Sequence, residues 1–310
     1  MDKYVITGGA GFIGSHIANE LNELGHEVIV LDNLRTGFKK NIEELDVKFV
    51  QGDVLDENLL YELAKGAKGI FHLAAMVSVP ESLKNLEDCI NINVKGTLNV
   101  LEAAKKNPEC KVVLSSSAAI YGSNPTLPKF ENMLPEPMTP YAVTKLDGEY
   151  YLKIYKEQWD VATASLRYFN VFGPRQNPNS TYAAAVPIFI HQALLNEPLT
   201  IHGDGNQTRD FVYVKDVVNA NIYAMEKGNG VFNVAFGQSI SILDLANRII
   251  ELTNSKSRLE FAKKRPGDIV HSKASIEKFK YEGFEPKWDL DKALNDTIAF
   301  YRIILRKNKI

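Results

Sequence analysis

Two residues four positions apart, Tyr141 and Lys145, have side chains suited to acid–base chemistry. In a helix this spacing places both side chains on one face. A free tyrosine has a pKa of about 10 and is a poor base at neutral pH, but a nearby ammonium group favours the phenolate and lowers that pKa. Such a pair is common in helices, so its function depends on the residues around it.

Three glycines, Gly8, Gly11 and Gly14, lie between a strand-like run and a helical pattern. This spacing allows a tight turn, lets backbone N–H groups approach a pyrophosphate, and lets the helix pack closely on the strand. Asp32 ends the second strand-like run, where a carboxylate accepts hydrogen bonds from ribose hydroxyls and repels a 2′-phosphate. These residues predict a dinucleotide site that prefers NAD, although Arg35 nearby could help NADP.

Short apolar runs alternate with helical patterns through the first half of the chain. Strands are predicted at residues 4–7, 28–32, 47–51, 69–73 and 111–115, and helices at 11–24, 58–65 and 88–106. This alternation predicts an α/β, Rossmann-like doubly wound parallel sheet. Ser115, Ser116 and Ser117 then end the fifth strand at the sheet edge where ligands bind, so a serine hydroxyl there could bind the oxygen that Tyr141 deprotonates.

The pattern changes in the second half of the chain. Prolines predict a long loop at residues 124–140, followed by a helix from Tyr141 to about residue 158 and a strand at 161–167. A loop at 173–182 is interpreted as the crossing into a smaller α/β substrate-binding domain, and a helix at 216–227 as a return to the first. The predicted domains are residues 1–170 plus about 212–237, and about 171–211 plus 238–310.

Composition excludes several classes of protein. Among 310 residues, 36 Lys and Arg against 38 Asp and Glu give a net charge of −2, which speaks against a nucleic-acid binder. No stretch approaches the roughly 20 apolar residues that span a bilayer, and the N-terminus resembles no signal peptide. Cys89 and Cys110 have no partners at metal-ligand spacing. We expect a cytoplasmic protein with reduced thiols, no metal, no nucleic-acid partner and no membrane partner.

Motifs over essentially the whole chain resemble the extended short-chain dehydrogenase/reductase family, and within it the nucleotide-sugar 4-epimerases. The motifs are TGGAGFIGSH at 7–16, LDNLRTG at 31–37, HLAA at 72–75, NVKGTLNVLEAA at 93–104, SSSAAIYG at 115–122, YAVTK at 141–145, RYFNVFGPRQNP at 167–178, GDGNQTRDFVYVKDV at 203–217 and RPGD at 265–268. The resemblance implies NAD as cofactor, a UDP-sugar as substrate, and a homodimer that pairs helices 88–106 and 141–158 in a four-helix interface.

The resemblance also implies catalytic roles. Tyr141 would take the proton of the sugar 4-hydroxyl, Lys145 would hold the nicotinamide ribose and lower the pKa of Tyr141, and Ser117 would bind the substrate oxygen and relay the proton. The C4 hydride would move to NAD and return to the other face of a 4-keto sugar, which inverts C4.

Two further sets of residues are carried over from the family. Cofactor binding is expected from Gly8, Gly11, Phe12, Ile13, Gly14, Asp32, Asn33, Asp53, Val54, Leu73, Ala74, Ala75, Asn93, Ser115, Tyr141, Lys145 and Tyr168. Substrate binding is expected from Ser78, Ser117, Tyr141, Asn170, Ala185, Val186, Thr200, His202, Arg209, Arg265, Asp268 and Ser272. The two arginines would clamp the diphosphate, because a planar guanidinium suits phosphate oxygens.

Sister activities differ at a few positions. Family 4,6-dehydratases carry Asp-Glu where this chain has Ala118 and Ala119, and UDP-glucuronate decarboxylases carry Glu at the second position, so both activities are disfavoured. Val77 stands where some galactose epimerases have lysine, which leaves local contacts to the diphosphate open. A UDP-glucuronate 4-epimerase and, from another class, a non-catalytic NAD-binding regulator remain as alternatives.

The sugar specificity depends on Ser272. Some UDP-galactose 4-epimerases have a tyrosine at the matching position, whose ring restricts space beside the C2 substituent. Serine opens on the order of 100 Å³, enough for an acetamido group in a pocket-sized site. Residues 177–184 also resemble the N-acetyl-sugar subgroup. The prediction is a 4-epimerase of UDP-GlcNAc and UDP-GalNAc that also accepts UDP-Glc and UDP-Gal.

Overall fold

The computed structural model describes residues 1–178, 184–264 and 269–307. Its strands, in chain order, are β1 (Lys3–Thr7), β2 (Glu27–Asp32), β3 (Lys48–Gln51), β4 (Gly69–His72), β5 (Lys111–Ser117), β6 (Thr163–Tyr168), β7 (Asn170–Phe172), β8 (Leu199–His202), β9 (Thr208–Arg209), β10 (Phe211–Tyr213), β11 (Gly230–Val234), β12 (Ile240–Ser241) and β13 (Leu259–Ala262). Its α-helices are α1 (Phe12–Glu23), α2 (Glu57–Ala64), α3 (Val79–Lys84), α4 (Leu86–Ile90), α5 (Gly96–Lys105), α6 (Pro140–Trp159), α7 (Ala185–Leu195), α8 (Val214–Glu226), α9 (Ile242–Thr253), α10 (Glu277–Tyr281) and α11 (Leu290–Lys307).

A parallel sheet of seven strands, counted over the described ranges, forms the centre of the molecule in the order β11-β6-β5-β4-β1-β2-β3. Successive residues of a strand face opposite sides, so Tyr4 and Ile6 of β1 join one core while Val5 joins the other. Helices α1 and α8 cover the first face; α2, α5 and α6 cover the second. The predicted Rossmann-like sheet is confirmed.

The strand order reverses beside β1, since β2 lies on one side of it and β4 on the other. In open parallel sheets a crevice forms at such a point, outside the carboxyl ends of the strands. Residues after β1, β2, β4 and β5 therefore converge on one edge of the sheet.

The predicted elements agree with the structure to within a few residues. Helix 88–106 is observed as α4, a π-helical segment at Asn91–Lys95, and α5. The strand predicted at 161–167 is β6, which starts two residues later. A short 3-10 helix, Ala118–Tyr121, follows β5, and the proline-rich loop then runs to α6 with one isolated bridge from Lys129 to Ala274.

A third core lies outside the seven-stranded sheet. It packs apolar residues of α7, α9 and α11 around β8, which pairs with β13. Strand pairs β7–β10 and β9–β12 connect this part to the main sheet. The exact two-domain division stays a prediction. Across the described residues, no helix is both long and apolar enough to cross a membrane.

Candidate functional site

The glycine turn after β1 is closed by backbone contacts that leave no room for side chains. Gly8 has φ +70°, and a Cβ there would lie 2.7 Å from the backbone nitrogen of Ala74. A Cβ on Gly14 would lie 2.4 Å from the carbonyl oxygen of Gly8. Gly11 caps α1 without a side-chain hydrogen bond, so the helix presents backbone N–H groups at this end. Such a turn fits a pyrophosphate.

Asp32, at the end of β2, is fastened to this turn. Its Oδ2 accepts from the backbone N–H of Ala10 at 3.0 Å, and its Oδ1 accepts from that of Leu34 at 2.8 Å. Burial raises the pKa of the carboxyl group. A Cβ on Gly37 would lie 2.9 Å from Oδ2. Each carboxylate oxygen has a second lone pair, so Asp32 can still accept from ribose hydroxyls.

The loop after β2 is held by polar side chains. Asn33 Nδ2 donates to Asp53 Oδ2 at 2.8 Å. Arg35 forms ion pairs with Glu81 of α3 at 3.0 Å and with Asp88 of α4 at 3.4 Å. The sequence prediction identified Asn33, Asp53 and Arg35 but missed the two acidic partners, which come from elements 46 and 53 residues away.

His72, inside the HLAA motif, was not singled out in the sequence, yet it joins β1 to α5. Its Nδ1 lies 2.7 Å from Thr7 Oγ1, and its Nε2 lies 3.0 Å from Thr97 Oγ1. Thr97 donates to the carbonyl of Asn93 at 2.6 Å, so it accepts from Nε2–H of His72. Thr7 then donates to Nδ1 and accepts from the Ala74 N–H at 3.3 Å. Burial lowers the pKa of His72 to about 3, so the ring is neutral.

Asn93 and its neighbours fix the loop after β4. The Asn93 side chain accepts from the Met76 N–H at 2.7 Å and donates to the Met76 carbonyl at 3.1 Å and to Thr144 Oγ1 at 2.9 Å. Leu73 N–H donates to the Thr7 carbonyl at 3.0 Å. These bonds place Leu73, Ala74 and Ala75 beside the glycine turn, as the predicted cofactor site requires, and Val54 is buried after β3.

The three serines that end β5 each contact α6. Lys145 Nζ donates to the Ser115 carbonyl at 2.7 Å, and the Ser117 side chain lies close enough to Tyr141 to favour its phenolate. Lys145 Nζ lies 5.9 Å from the centroid of the Tyr141 ring. The structure thus brings the predicted catalytic residues together at the edge where the glycine turn lies.

The middle serine contacts a buried ion pair that sequence reasoning missed. Ser116 donates to Glu149, one helical turn beyond Lys145, and Glu149 Oε2 pairs with Arg167 of β6 at 2.7 Å. Arg167 also donates to Tyr121 Oη at 2.9 Å. A repeating i, i+4 spacing of polar residues along α6 was the available signal, but only the fold shows that Glu149 points into the protein.

The protein's own groups do not lower the pKa of Tyr141. The pKa of Tyr141 is raised, because burial disfavours the phenolate more than the hydrogen bond from Ser117 favours it. Lys145 is not among the causes of the shift, and burial lowers its own pKa to about 8. Lys145 therefore acts here as a nearly buried ammonium fixed by Ser115. Tyr168 of β6 donates to Asn221 Oδ1 at 2.9 Å.

Besides Ser117, Tyr141 and Ser78, the predicted substrate residues in the described ranges form two groups. Asn170 in β7 and Arg209 in β9 are neighbours, because Asn170 N–H donates to the Asp210 carbonyl at 3.1 Å. Ser272 N–H donates to the Thr208 carbonyl at 3.1 Å, and Arg209 donates to the same oxygen at 2.8 Å. Arg265 and Asp268 lie outside the described residues, as do residues 179–183 of the stretch used to predict sugar preference.

The second group lies in the third core and its edge. Thr200 and His202 are in β8, and His202 Nδ1 lies 3.2 Å from the Lys263 carbonyl. Ala185 is the first residue of α7. Val186 has no exposed surface, so the structure does not support its predicted contact with the substrate. Ser78 belongs to neither group: it caps α3 and accepts from the Glu81 N–H at 3.2 Å. The roles of all these residues stay predictions.

Comparison with known proteins agrees with this geometry. The model of the NAD dependent epimerase/dehydratase family matches residues 4–235. A putative UDP-glucose 4-epimerase of Methanocaldococcus jannaschii is 38% identical over 300 residues, covering 96% of this chain and 98% of that protein. A UDP-N-acetyl-alpha-D-glucosaminuronate decarboxylase of Bacillus cytotoxicus is 36% identical over 318 residues, covering 97% and 98%.

A solved structure extends the likeness to the whole fold. The UDP-N-acetylglucosamine 4-epimerase of Methanobrevibacter ruminantium, in complex with UDP-N-acetylmuramic acid, matches with a TM-score of 0.94 at 39% identity, covering 98% of this chain and 99% of that one. The predicted family and the predicted cofactor are confirmed. This chain belongs to the NAD-dependent epimerase/dehydratase family, its cofactor is NAD, and its relatives include UDP-sugar 4-epimerases.

Proposed function

We propose that this protein interconverts UDP-GlcNAc and UDP-GalNAc by inverting C4, and that it also accepts UDP-Glc and UDP-Gal. The observation that carries the proposal is the contact of Tyr141 and Lys145 with the end of β5, beside the glycine turn. A phenol and a serine hydroxyl at that edge are placed to exchange a proton with a sugar hydroxyl. Bound NAD supplies the acceptor, and later the donor, of the C4 hydride.

Three residues of the chain have separate roles in the reaction. Tyr141 takes the proton of the 4-hydroxyl in its phenolate form, which the positive nicotinamide ring of bound NAD would favour, and returns the proton after the sugar has turned. Ser117 binds the same oxygen, since its side chain lies close to Tyr141 at the end of β5. Lys145 has three N–H donors, of which Ser115 accepts one, and another can bind a ribose hydroxyl. Binding energy on the UDP part, through Asn170 and Arg209, leaves the sugar free to turn.

Ser272 supports the preference for N-acetylated sugars. Its backbone bond to Thr208 places a small, half-buried side chain beside Arg209, which we propose as part of the diphosphate clamp. A small residue beside the clamp leaves space for an acetamido group.

An equilibrium assay tests the proposal. Purified protein is incubated with UDP-GlcNAc, UDP-Glc or UDP-GlcA without added NAD, and the 4-epimers are separated. We expect conversion of the first two, with the larger kcat/KM for UDP-GlcNAc. Conversion of UDP-GlcA alone would establish the uronate epimerase instead, and conversion of none would favour a non-catalytic NAD-binding protein.

We also propose that the protein is a homodimer. Exposed apolar side chains of α4 and α6 support this, with Leu86 50%, Ile90 45% and Val143 42% exposed. Together with Met138 they line an apolar groove on the face where the family resemblance places a four-helix interface. The mass in solution, by light scattering, tests it. The cytoplasmic location stays a prediction from sequence.

A further inference from the structure

Asp210 lies between the predicted diphosphate clamp and three other parts of the chain, and its side chain is fully buried. It follows Arg209 directly and separates β9 from β10. We propose that Asp210 is the positioning residue of the substrate site, which fixes Arg209, Asn170 and the segment that carries Ser272 relative to one another. The inference rests on the proposed UDP-sugar site and adds the residue that sets its geometry.

The hydrogen bonds of Asp210 join segments far apart in sequence. Its Oδ1 accepts from the N–H of Phe236 at 2.9 Å, and its Oδ2 accepts from the N–H of Gly237 at 3.2 Å and of Ala274 at 3.0 Å. Its own backbone carbonyl accepts from the Asn170 N–H. Through these hydrogen bonds, Asp210 connects three segments to β9, the strand that carries Arg209. They are the start of β7, the loop after β11 and residues 271–275.

Two of the three segments carry a predicted substrate residue: Asn170 lies in β7, and Ser272 lies in the segment at 271–275. Ala274 lies two residues after Ser272, which itself bonds to Thr208. The same segment is held from its other side by the proline-rich loop, because the N–H of Lys129 donates to Lys273 and the N–H of Ser275 donates to Lys129. Asp210 thus holds the side of this segment that faces the clamp.

The chemistry of the site explains why a carboxylate stands there. A buried carboxylate is costly unless polar groups satisfy it, and here backbone N–H donors from two segments converge on both oxygens. Burial raises the pKa of Asp210 to about 7, against the opposing effect of these donors. An asparagine would match the donors on one oxygen only, because its NH₂ group cannot accept. Asp210→Asn therefore loses the hydrogen bond from Ala274 or the one from Phe236, according to which position the amide oxygen takes, and it places an NH₂ donor against that backbone N–H without changing the size of the side chain.

Asp216 offers a matched control. It is also buried, its oxygens accept from the backbone N–H groups of Lys287 at 2.8 Å and Trp288 at 3.1 Å, and burial raises its pKa too. It ties α8 to the segment before α11, which carries none of the predicted substrate residues. Asp216→Asn should lose comparable thermal stability while leaving the substrate site intact.

The experiment compares the wild type, Asp210→Asn and Asp216→Asn by steady-state kinetics, UDP titration calorimetry and NAD content. For Asp210→Asn we expect KM for the UDP-sugar and Kd for UDP to rise roughly tenfold, with kcat changed far less and NAD content unchanged. A loss confined to kcat, an unchanged KM, or an equal rise in KM for Asp216→Asn would overturn the proposal.

A measurement on the wild type covers the case in which Asp210→Asn does not fold. Hydrogen exchange with and without UDP should show slower exchange at Phe236, Gly237 and Ala274 together, because Asp210 couples them to the clamp. Slowing around Arg209 alone would contradict the coupling. A wild type that neither binds UDP nor converts a UDP-sugar would instead contradict the proposed function, which separates the two failures.

Discussion

The cofactor side and the substrate side of this protein are built by different kinds of contact. On the cofactor side, the predicted residues follow β1, β2, β4 and β5, which are neighbours in one sheet. Backbone atoms approach so closely at Gly8 and Gly14 that a Cβ would collide with main chain. On the substrate side, Asn170, Arg209 and Ser272 come from short strands and a loop whose backbones are joined through hydrogen bonds to Asp210.

This difference predicts how each side responds to substitution. A rigid sheet edge tolerates no added volume but needs few side chains to keep its shape. Segments held by side-chain bonds tolerate volume better and depend on single polar atoms. Tyr141 lies where the two sides meet, so removing its hydroxyl should reduce the chemical step far more than the binding of NAD or of UDP.

The largest effect is expected for Tyr141→Phe. Removing the phenol hydroxyl removes the group that exchanges the proton, and general acid–base catalysis contributes roughly 10²–10⁴-fold. We expect kcat to fall by at least that range, with NAD content and UDP affinity unchanged. Tyr150→Phe, at a 53% exposed position on the same helix, is the control. Activity within tenfold of wild type would assign the proton exchange to another group.

A second test breaks the cofactor side alone. In Gly14→Ala the new Cβ would meet the Gly8 carbonyl at 2.4 Å and Gly9 Cα at 2.8 Å, so backbone must shift. We expect NAD to be lost during purification and stability to fall by about 1–3 kcal/mol. Gly25→Ala, where no atom lies within 4 Å but φ is +76°, should cost stability and retain NAD. Retained NAD in both variants would contradict a tightly closed turn.

A third test addresses the substrate side alone. Ser272→Tyr adds a ring beside Arg209 and should reduce kcat/KM for UDP-GlcNAc by roughly tenfold or more, with a much smaller change for UDP-Glc. Ser272→Thr, which adds one methyl group, is the graded control. Equal losses on both substrates would remove Ser272 from the determinants of sugar choice.

The smallest effect is expected at Arg35, in a part of the cofactor side that ion pairs between side chains hold in place. Glu81 and Asp88 engage Arg35, which could otherwise meet a ribose 2′-phosphate. Exposed ion pairs contribute about 0–1 kcal/mol, so Glu81→Gln with Asp88→Asn should tighten NADP binding only about fivefold at most. Adding Arg35→Ala should abolish the gain. A gain that persists without Arg35 would have another origin.

Most of the cofactor side could be predicted from sequence, since apolar runs, glycine spacing and the Tyr141/Lys145 pair are local patterns. The fold then needed only the rule that parallel strands place their carboxyl ends at one edge. The partners of these residues could not be predicted in the same way. Glu149 meets Arg167 across 18 residues, and Thr7 meets His72 across 65, and no local period marks such pairs.

The pKa of Tyr141 shows the same limit in energetic terms. The residue types alone indicated that Lys145 would lower it, whereas burial raises it in the folded protein. Desolvation depends on how many atoms surround the phenol, which only packing determines.

The sequence by itself determined the Rossmann-like sheet, the dinucleotide turn and the catalytic residue types, because periodicity, glycine freedom and side-chain chemistry act over a few residues. The tertiary structure alone decided which groups hold the site in place. Asp210 and Ala274 are 64 residues apart, and Arg35 and Glu81 are 46 apart. Hydrogen bonds and ion pairs over such distances exist only once the chain has folded, since their geometry is set by the packing of separate elements.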